Sequence, residues 1–425
     1  MKILQLLPLV LIILSGCNNQ KEEAPSTTFT NATLFDGTGS NLVTDAVLVV
    51  QNGRIKAVGP KGSVTVPGNS TVIDLQGKFI IPGLINAHGH VGEVKGIENG
   101  HYSKENIIDN LGIYARYGVT TVVSLGGDGP DAETVRDVND TTTARRYSRL
   151  YIAGAIPNGK TPEESAAVID ENHKMGVDWM KVRVDDNLGT AAKMPEETYK
   201  SAIKRSHGLG YKIATHMYYL DDAKKLLAAG SDLMAHSVRD LPVDEEFIKL
   251  MKDRNVCYCP TLTRELSTFV YGDTAEFFSD PFFTKEYDSA TIQPLKDPKR
   301  QEQIRNATNP QIYKKQLPIA IANLKTLSDR GIPIAFGTDS GVATRFFGYF
   351  EHVEMAMMAE AGLTPTQILV SATKTAAECM GLKNIGVLKE GNHADFIVLT
   401  DDPTKDIKNT RSIESVYIGG SKIDR

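Results

Sequence analysis

Residues 30 to 79 alternate apolar and polar positions in short runs broken by Gly, Asn and Pro, as in "DAVLVVQNGRIKAVG". A period of two predicts half-buried β-strands. The "QNGR" between two such runs predicts a tight hairpin, because Asn-Gly readily takes positive φ values. The same style returns near the C-terminus in "ADFIVLTDDP" and "IESVYIGGSKI". Two all-β pieces at opposite ends can pair into one small domain if the middle folds with its ends together.

The middle of the chain changes rhythm. Short β-rich runs, "FIIPGLINAHGH", "GVTTVVSLGG", "RLYIAGAI", "VDWMKVRV", "YKIATHMY", "SDLMAHS", "NVCYCPTL" and "IPIAFGTDS", alternate with helical stretches such as "PEETYKSAIKRSHGLG". Eight strands alternating with helices predict an α/β fold, a (β/α)8 TIM-like barrel, with a small β-sandwich built from both chain ends. The expected divisions are 30–79 and 386–425 for the sandwich and 80–385 for the barrel. An open doubly wound sheet is the alternative, but no Gly-rich nucleotide fingerprint follows the first strand.

Composition narrows the picture. With 425 residues and 41% hydrophobic content the chain can bury a large core. Its 47 Lys+Arg against 52 Asp+Glu are scattered rather than blocked, which gives no reason to expect nucleic acid as a partner. The opening "MKILQLLPLVLIILSGCNNQ" has the layout of a secretory signal, and the run is short for a membrane span. Its "LSGC" resembles the lipobox of bacterial lipoproteins, which implies a signal peptide over 1–17 and acylation of Cys17. An uncleaved hydrophobic anchor is the alternative. Residues 18–29, polar and aperiodic, then read as a tether, and the protein as exported and lipid-anchored to a bacterial membrane, at its periplasmic face or the cell surface. Three other cysteines, an odd number, give no sign of a disulfide framework, so Cys257 and Cys259 read as small core residues.

The ends of the expected strands carry the chemistry: His88 and His90 on the first, Lys181 on the fourth, His216 on the fifth, His236 on the sixth and Asp339 on the eighth. In a barrel these positions share the C-terminal rim, where barrel enzymes keep their active sites. Residues two apart on a strand point the same way, so His88 and His90 can grip one ion, with Gly89 leaving clear space between them. Alone, this pair also reads as two polar rim residues, Lys181 as a salt-bridged rim lysine, and His216 or His236 as core histidines bonded to backbone.

The pieces "IPGLINAHGH", "GVDWMKV", "THMYY", "AGSDLMAHS", "PTL", "GTDSG" and "KNIGVLKEGNHADFIVL" resemble, in order, the amidohydrolase superfamily, in its imidazolonepropionase-like and prolidase-like branch. The resemblance implies two divalent metals, usually zinc, with His88, His90 and Asp339 on one and His216 and His236 on the other. It implies that Lys181, carbamylated by carbon dioxide, bridges both, and that Asp339 takes a proton from the metal-bridging hydroxide and passes it to the leaving group. The implied reaction is hydrolysis of an amide or peptide-like C–N bond, in a dipeptide such as Xaa-Pro or an N-acyl amino acid. A lactone or ester on the same site is the nearest alternative. A mononuclear deaminase is another, although such enzymes place a glutamate where this chain has Tyr219. A lipid-anchored binding protein without catalysis is the reading from another class.

Candidate substrate contacts are fewer in kind. Tyr218 stands where many relatives carry a second histidine, and either donates to a substrate oxygen or packs. Arg183 shares a face with Lys181, and either binds a substrate carboxylate or braces Asp185 or Asp339. His101, Tyr102 and Arg345 fall in loops that topology sends to the rim. His352 reads as a helix anchor, His173 and His207 as surface residues, and His393 as remote from any metal. The aromatic segment from Arg264 to about Gln316 is either a lid over an apolar substrate portion or a packed appendage. A small-molecule substrate is expected, and homo-oligomerisation is left open.

Overall fold

A computed structural model describes residues 24–139 and 145–424; Cys17 and the stretch read as a signal peptide lie outside the described residues. Five strands open the chain: β1 (Ser26–Leu34), β2 (Val43–Gln51), β3 (Arg54–Pro60), β4 (Ser70–Asp74) and β5 (Phe79–Pro82). The first begins inside the stretch read as tether. The β2–β3 hairpin turns on Asn52 and Gly53, with φ of 52° and 75°, the left-handed values that Asn-Gly predicts.

Seven parallel strands follow: β6 (Leu84–Gly89), β7 (Val119–Ser124), β8 (Arg149–Ile152), β9 (Met180–Arg183), β10 (Ile213–His216), β11 (Leu233–Ala235) and β12 (Cys257–Cys259). The chain ends on β13 (Phe396–Leu399), β14 (Ile413–Ile418) and β15 (Ser421–Lys422). Strands from both ends share one sheet, ordered β15-β14-β13-β5-β1-β2-β3 with β4 on β1. The seam between the ends is the antiparallel pair β5–β13, where Ile81 faces Ile397. One face of this sheet packs Phe29 edge-on to Phe396, with the Phe396 and Tyr417 rings stacked 4.5 Å apart.

The oily run from Phe79 therefore serves two units. Pro82 ends β5 in the end sheet and Gly83 starts the turn into β6. A Cβ at Gly83 would lie 2.1 Å from Thr120 Oγ1, so only glycine lets β6 pass β7 here. Both β6 and β7 are buried along their whole length, as expected of parallel strands covered on both faces.

The seven parallel strands form two sheets, β6-β7-β8 and β12-β11-β10-β9, the strands of a TIM-like barrel beside an extra β domain. Backbone bonds link the two sheets. Ile152 O accepts from Asp178 N at 2.9 Å, and Tyr258 exchanges bonds with Pro333 and Ala335, both 2.9 Å. The eighth expected strand, "IPIAFGTDS", is extended but forms only isolated bridges, Tyr258 to Ile334 and Gly89 to Ser340. Pro333 lacks a donor, and Asp339 turns out of β geometry at φ 59°, which together prevent a regular ladder.

The cysteine expectation is corrected in one respect. Cys257 and Cys379 form a disulfide across 122 residues of sequence, whereas Cys259 is a buried free thiol. The bridge ties β12 to the helix Ala376–Met380, whose Ala376 and Ala377 pack among interior residues of the barrel such as Ala87 and Ala235.

The aromatic segment is a packed appendage. It begins in the helix Leu262–Phe269 and runs through short turns to the long helix Thr308–Asp329. Its Tyr271, Phe278, Phe283 and Tyr287 are buried against Tyr117, Phe346 and Phe350.

Candidate metal centre

The six expected ligands converge. Ligand atoms of His88, His236 and Asp339 lie within 4.8 Å of one another, all three residues buried. Lys181 Nζ is 3.3 Å from His88 Nε2, and His90 Nε2 is 2.8 Å from Asp339 Oδ1. The His216 and His236 rings are 4.2 Å apart, and those of His88 and His236 4.6 Å. Strand alternation places Lys181, and the β9–β10 register pairs Arg183 with His216.

Two of these residues sit in backbone conformations that ordinary side chains avoid: His236 at φ 128° and Asp339 at φ 59°. Such strain persists only where surrounding structure enforces it, and it clusters at functional sites. Gly89 has a different role from the clear space expected of it. A Cβ there would come 2.9 Å from the Tyr114 hydroxyl, so the glycine lets Tyr114 pack against β6.

Burial sets the charge states. It pushes His216 down to about 3 and, with the neighbouring His216, His88 and Lys181, holds His236 well below its ordinary value. Burial, then Lys181, does the same for His88. All three imidazoles are thus neutral, the form that binds metal. Burial also lowers the Lys181 amine to about 8. Burial alone would raise Asp339, but Arg345, His88 and a hydrogen bond from His90 keep it well below the carboxylate range. The His88 Nδ1 atom is buried without a hydrogen-bond partner, a polar atom that protein neighbours do not satisfy. Neutral imidazoles, an anionic carboxylate and a lysine amine of lowered basicity are a donor set that fits divalent metal.

Outer contacts orient the ligands. His90 Nδ1 lies 2.9 Å from Gly126 O, His236 Nδ1 2.7 Å from Thr261 Oγ1, and His216 Nε2 2.9 Å from Asp185 Oδ2. Arg345 donates to Asp339 Oδ2, and its Nε to Ser267 Oγ at 3.0 Å.

A second set of buried groups was not singled out from sequence. Glu351, fully buried, accepts from Asn86 Nδ2 (2.7 Å) and Thr338 Oγ1 (2.7 Å) and from the Ser340 hydroxyl (2.5 Å). Thr338 and Ser340 flank Asp339, and Asn86 Oδ1 caps the His88 amide at 3.0 Å. Glu354 accepts from the Leu262 and Thr263 amides at 2.8 and 2.7 Å. Burial, against those hydrogen bonds, raises both glutamates to about 7. The available signal was two glutamates in the otherwise oily helix "YFEHVEMAMM".

The substrate-contact candidates divide. Arg345 joins the cluster directly, and Arg183 joins it through Asp185, with Arg183 Nη2 3.5 Å from Asp185 Oδ2. Tyr218 donates to Gln316, and the Arg239 guanidinium lies 4.6 Å over its ring. His101 reaches Glu98 at 3.7 Å, while the Tyr102 hydroxyl accepts from the Gly129 amide at 2.6 Å, at the start of the helix Pro130–Arg136. His352 is tied to Tyr117 O at 2.9 Å and Thr410 Oγ1 at 3.1 Å, the helix anchor expected of it.

Residues 79–423 match the family model described as "Amidohydrolase family". A 5-methylthioadenosine/S-adenosylhomocysteine deaminase of Bacillus cereus is 24% identical over 89% of this chain and 86% of its own. Uncharacterized mycobacterial proteins are 27% identical over 207 residues, and the alignment spans about half of their length, 54%. Among solved structures, a Xaa-Pro dipeptidase with bound methionine superposes with a TM-score of 0.72 at 20% identity, over 94% of this chain and 100% of that one. An ochratoxinase of A. niger gives 0.71 at 18% identity, over 94% and 96%.

Proposed function

The chain belongs to the amidohydrolase family, and from that premise we propose that it is a binuclear metal-dependent hydrolase of C–N bonds, acting on a dipeptide or an N-acyl amino acid. The observation that carries this reading is the buried cluster of His88, His236 and Asp339 with Lys181 beside it. Under this reading His88, His90 and Asp339 hold one ion, His216 and His236 the other, and Lys181, as a carbamate, both. A divalent pair, zinc by the chemistry of the donors, would supply a water nucleophile active near neutral pH and polarise the scissile carbonyl.

The chain's own residues do the rest. Asp339, kept anionic by Arg345, is the group to accept a proton at Oδ1 or Oδ2 and return it to the leaving nitrogen. Arg345 fixes the carboxylate's rotation, and Asp185 and Thr261 fix the two imidazoles on the other side. The buried setting excludes bulk water and keeps these interactions strong.

The finer architecture, a closed (β/α)8 barrel over 80–385 with a two-sheet sandwich from 30–79 and 386–425, belongs to the same reading. So does export with acylation of Cys17, which the Cys257–Cys379 disulfide supports, since such bridges persist in oxidising compartments. No helix among the described residues is long and apolar enough to cross a membrane.

The test is metal analysis of the purified protein with a screen of dipeptides, N-acyl amino acids and lactones. About two zinc ions per chain and chelator-sensitive cleavage of C–N substrates are expected. Turnover confined to lactones would move the reading to an esterase, and a metal-free protein that binds without turnover would reject it.

A further inference from the structure

We propose that the cavity at the His216 end of the cluster seats a carboxylate carried by the substrate, with Arg183 as its anchor. This rests on the hydrolase reading above and narrows its substrate to C–N compounds ending in a free acid. The cavity, about 380 Å³, is bounded by Lys160, Arg183, Asp185, Asn187 and Lys193. Arg183 is the register partner of His216 across β9 and β10, and it shares a strand face with Lys181. A strand rise of about 3.3 Å per residue sets it about 7 Å farther toward the rim than Lys181. An acid group there lies one amino-acid residue away from a bond held at the cluster.

The charges around the cavity are unequally engaged. Lys193 is held by Asp222 at 2.6 Å and lies 4.4 Å over the Tyr219 ring. Asp185 is occupied on both oxygens, accepting from the Asn187 amide at 2.9 Å and facing His216 at 2.9 Å. Arg183 is 43% exposed along its side chain, and both of its hydrogen bonds, to Asp185 and Asn187, run through Nη2. Its Nη1 and Nε donors are left for an incoming anion, with the Lys160 charge on the same rim. Arg183 acts as a specificity-determining residue, since a neutral end group offers this guanidinium nothing to pair with.

The test uses the zinc-loaded full chain, a panel of Xaa-Pro and Xaa-Leu dipeptides, and the same peptides as C-terminal amides, in wild type and in Arg183→Gln. Wild type is expected to favour the acids, and Arg183→Gln to raise KM for them by about 10- to 100-fold, the range of a hydrogen bond to a charged group. The amides should be unaffected, and bound zinc unchanged. Equal use of acids and amides by wild type overturns the subsite while leaving the hydrolase in place. A fall in zinc in Arg183→Gln overturns it too, in favour of a bracing role for Asp185 and His216. If no peptide turns over, the hydrolase reading fails, and calorimetric binding of the same pairs decides the subsite. Acids bound over amides by wild type alone uphold it; equal binding, or none, rejects it.

Discussion

Lys181 Nζ lies 3.3 Å from His88 Nε2, with both side chains shut away from solvent. Burial lowers the lysine to about 8, so an appreciable fraction is neutral amine near pH 7, the form that captures carbon dioxide. Lys181→Ala should drop bound zinc from about two ions per chain to one or none, with partial rescue by a short carboxylic acid. Metal analysis beside activity checks this, and full wild-type loading in the variant would reject the bridging role.

Asp339→Asn keeps the shape of the side chain but removes its basicity. We expect kcat to fall by about 10²- to 10⁴-fold, the usual contribution of a positioned base. Steady-state kinetics on the best substrate of the screen measures it, and a loss under threefold argues against a proton-transfer role.

Glu351 gathers Asn86, Thr338 and Ser340, so Glu351→Ala leaves three buried donors without their acceptor. A cost of about 1–3 kcal/mol per unsatisfied group predicts a large fall in Tm. The variant should also hold zinc less tightly, because the residues flanking Asp339 lose their tie. Glu351→Gln, which keeps one acceptor, should recover part of both; equal losses in the two variants would count against this account.

His352 gives a pH dependence of stability with a definite sign. Burial pushes it down to about 3 from an ordinary 6.5. Below pH 6.5 the unfolded chain takes up a proton that the folded chain refuses, so stability is fully present above that pH and falls on acidification. The slope is about 1.4 kcal/mol per pH unit for one such histidine. Urea midpoints between pH 7 and 4 should fall less steeply in His352→Asn; parallel curves would sink the assignment.

The Cys257–Cys379 disulfide closes a long loop and so should stabilise by several kcal/mol, about 4 or more in the chain-entropy picture. Replacing both cysteines with serine should lower Tm, and intact-mass measurement before and after reduction should show one bridge. A reduced wild-type protein of unchanged Tm contradicts this expectation.

Much of this protein was legible because its signals are local. The period-two runs at both ends, the Asn52-Gly53 turn and the run into His88 and His90 each depend on neighbours in sequence. The six ligands could be read because each ends an apolar strand, and strand alternation aims them. The disulfide was not legible, since Cys257 and Cys379 stand 122 residues apart and meet only when the helix Ala376–Met380 packs among interior residues of the barrel. The Glu351 network was equally hidden, as its partners come from β6 and the segment around Asp339.

By itself the sequence determined the kind of chemistry and the order of its ligands, because residue type and strand period are properties of short stretches. The tertiary structure alone decided which nitrogen faces which oxygen, that Arg345 rather than solvent holds Asp339, and that Tyr218 turns to Gln316. Those choices depend on burial and on contacts between segments far apart in sequence, and only packing sets them.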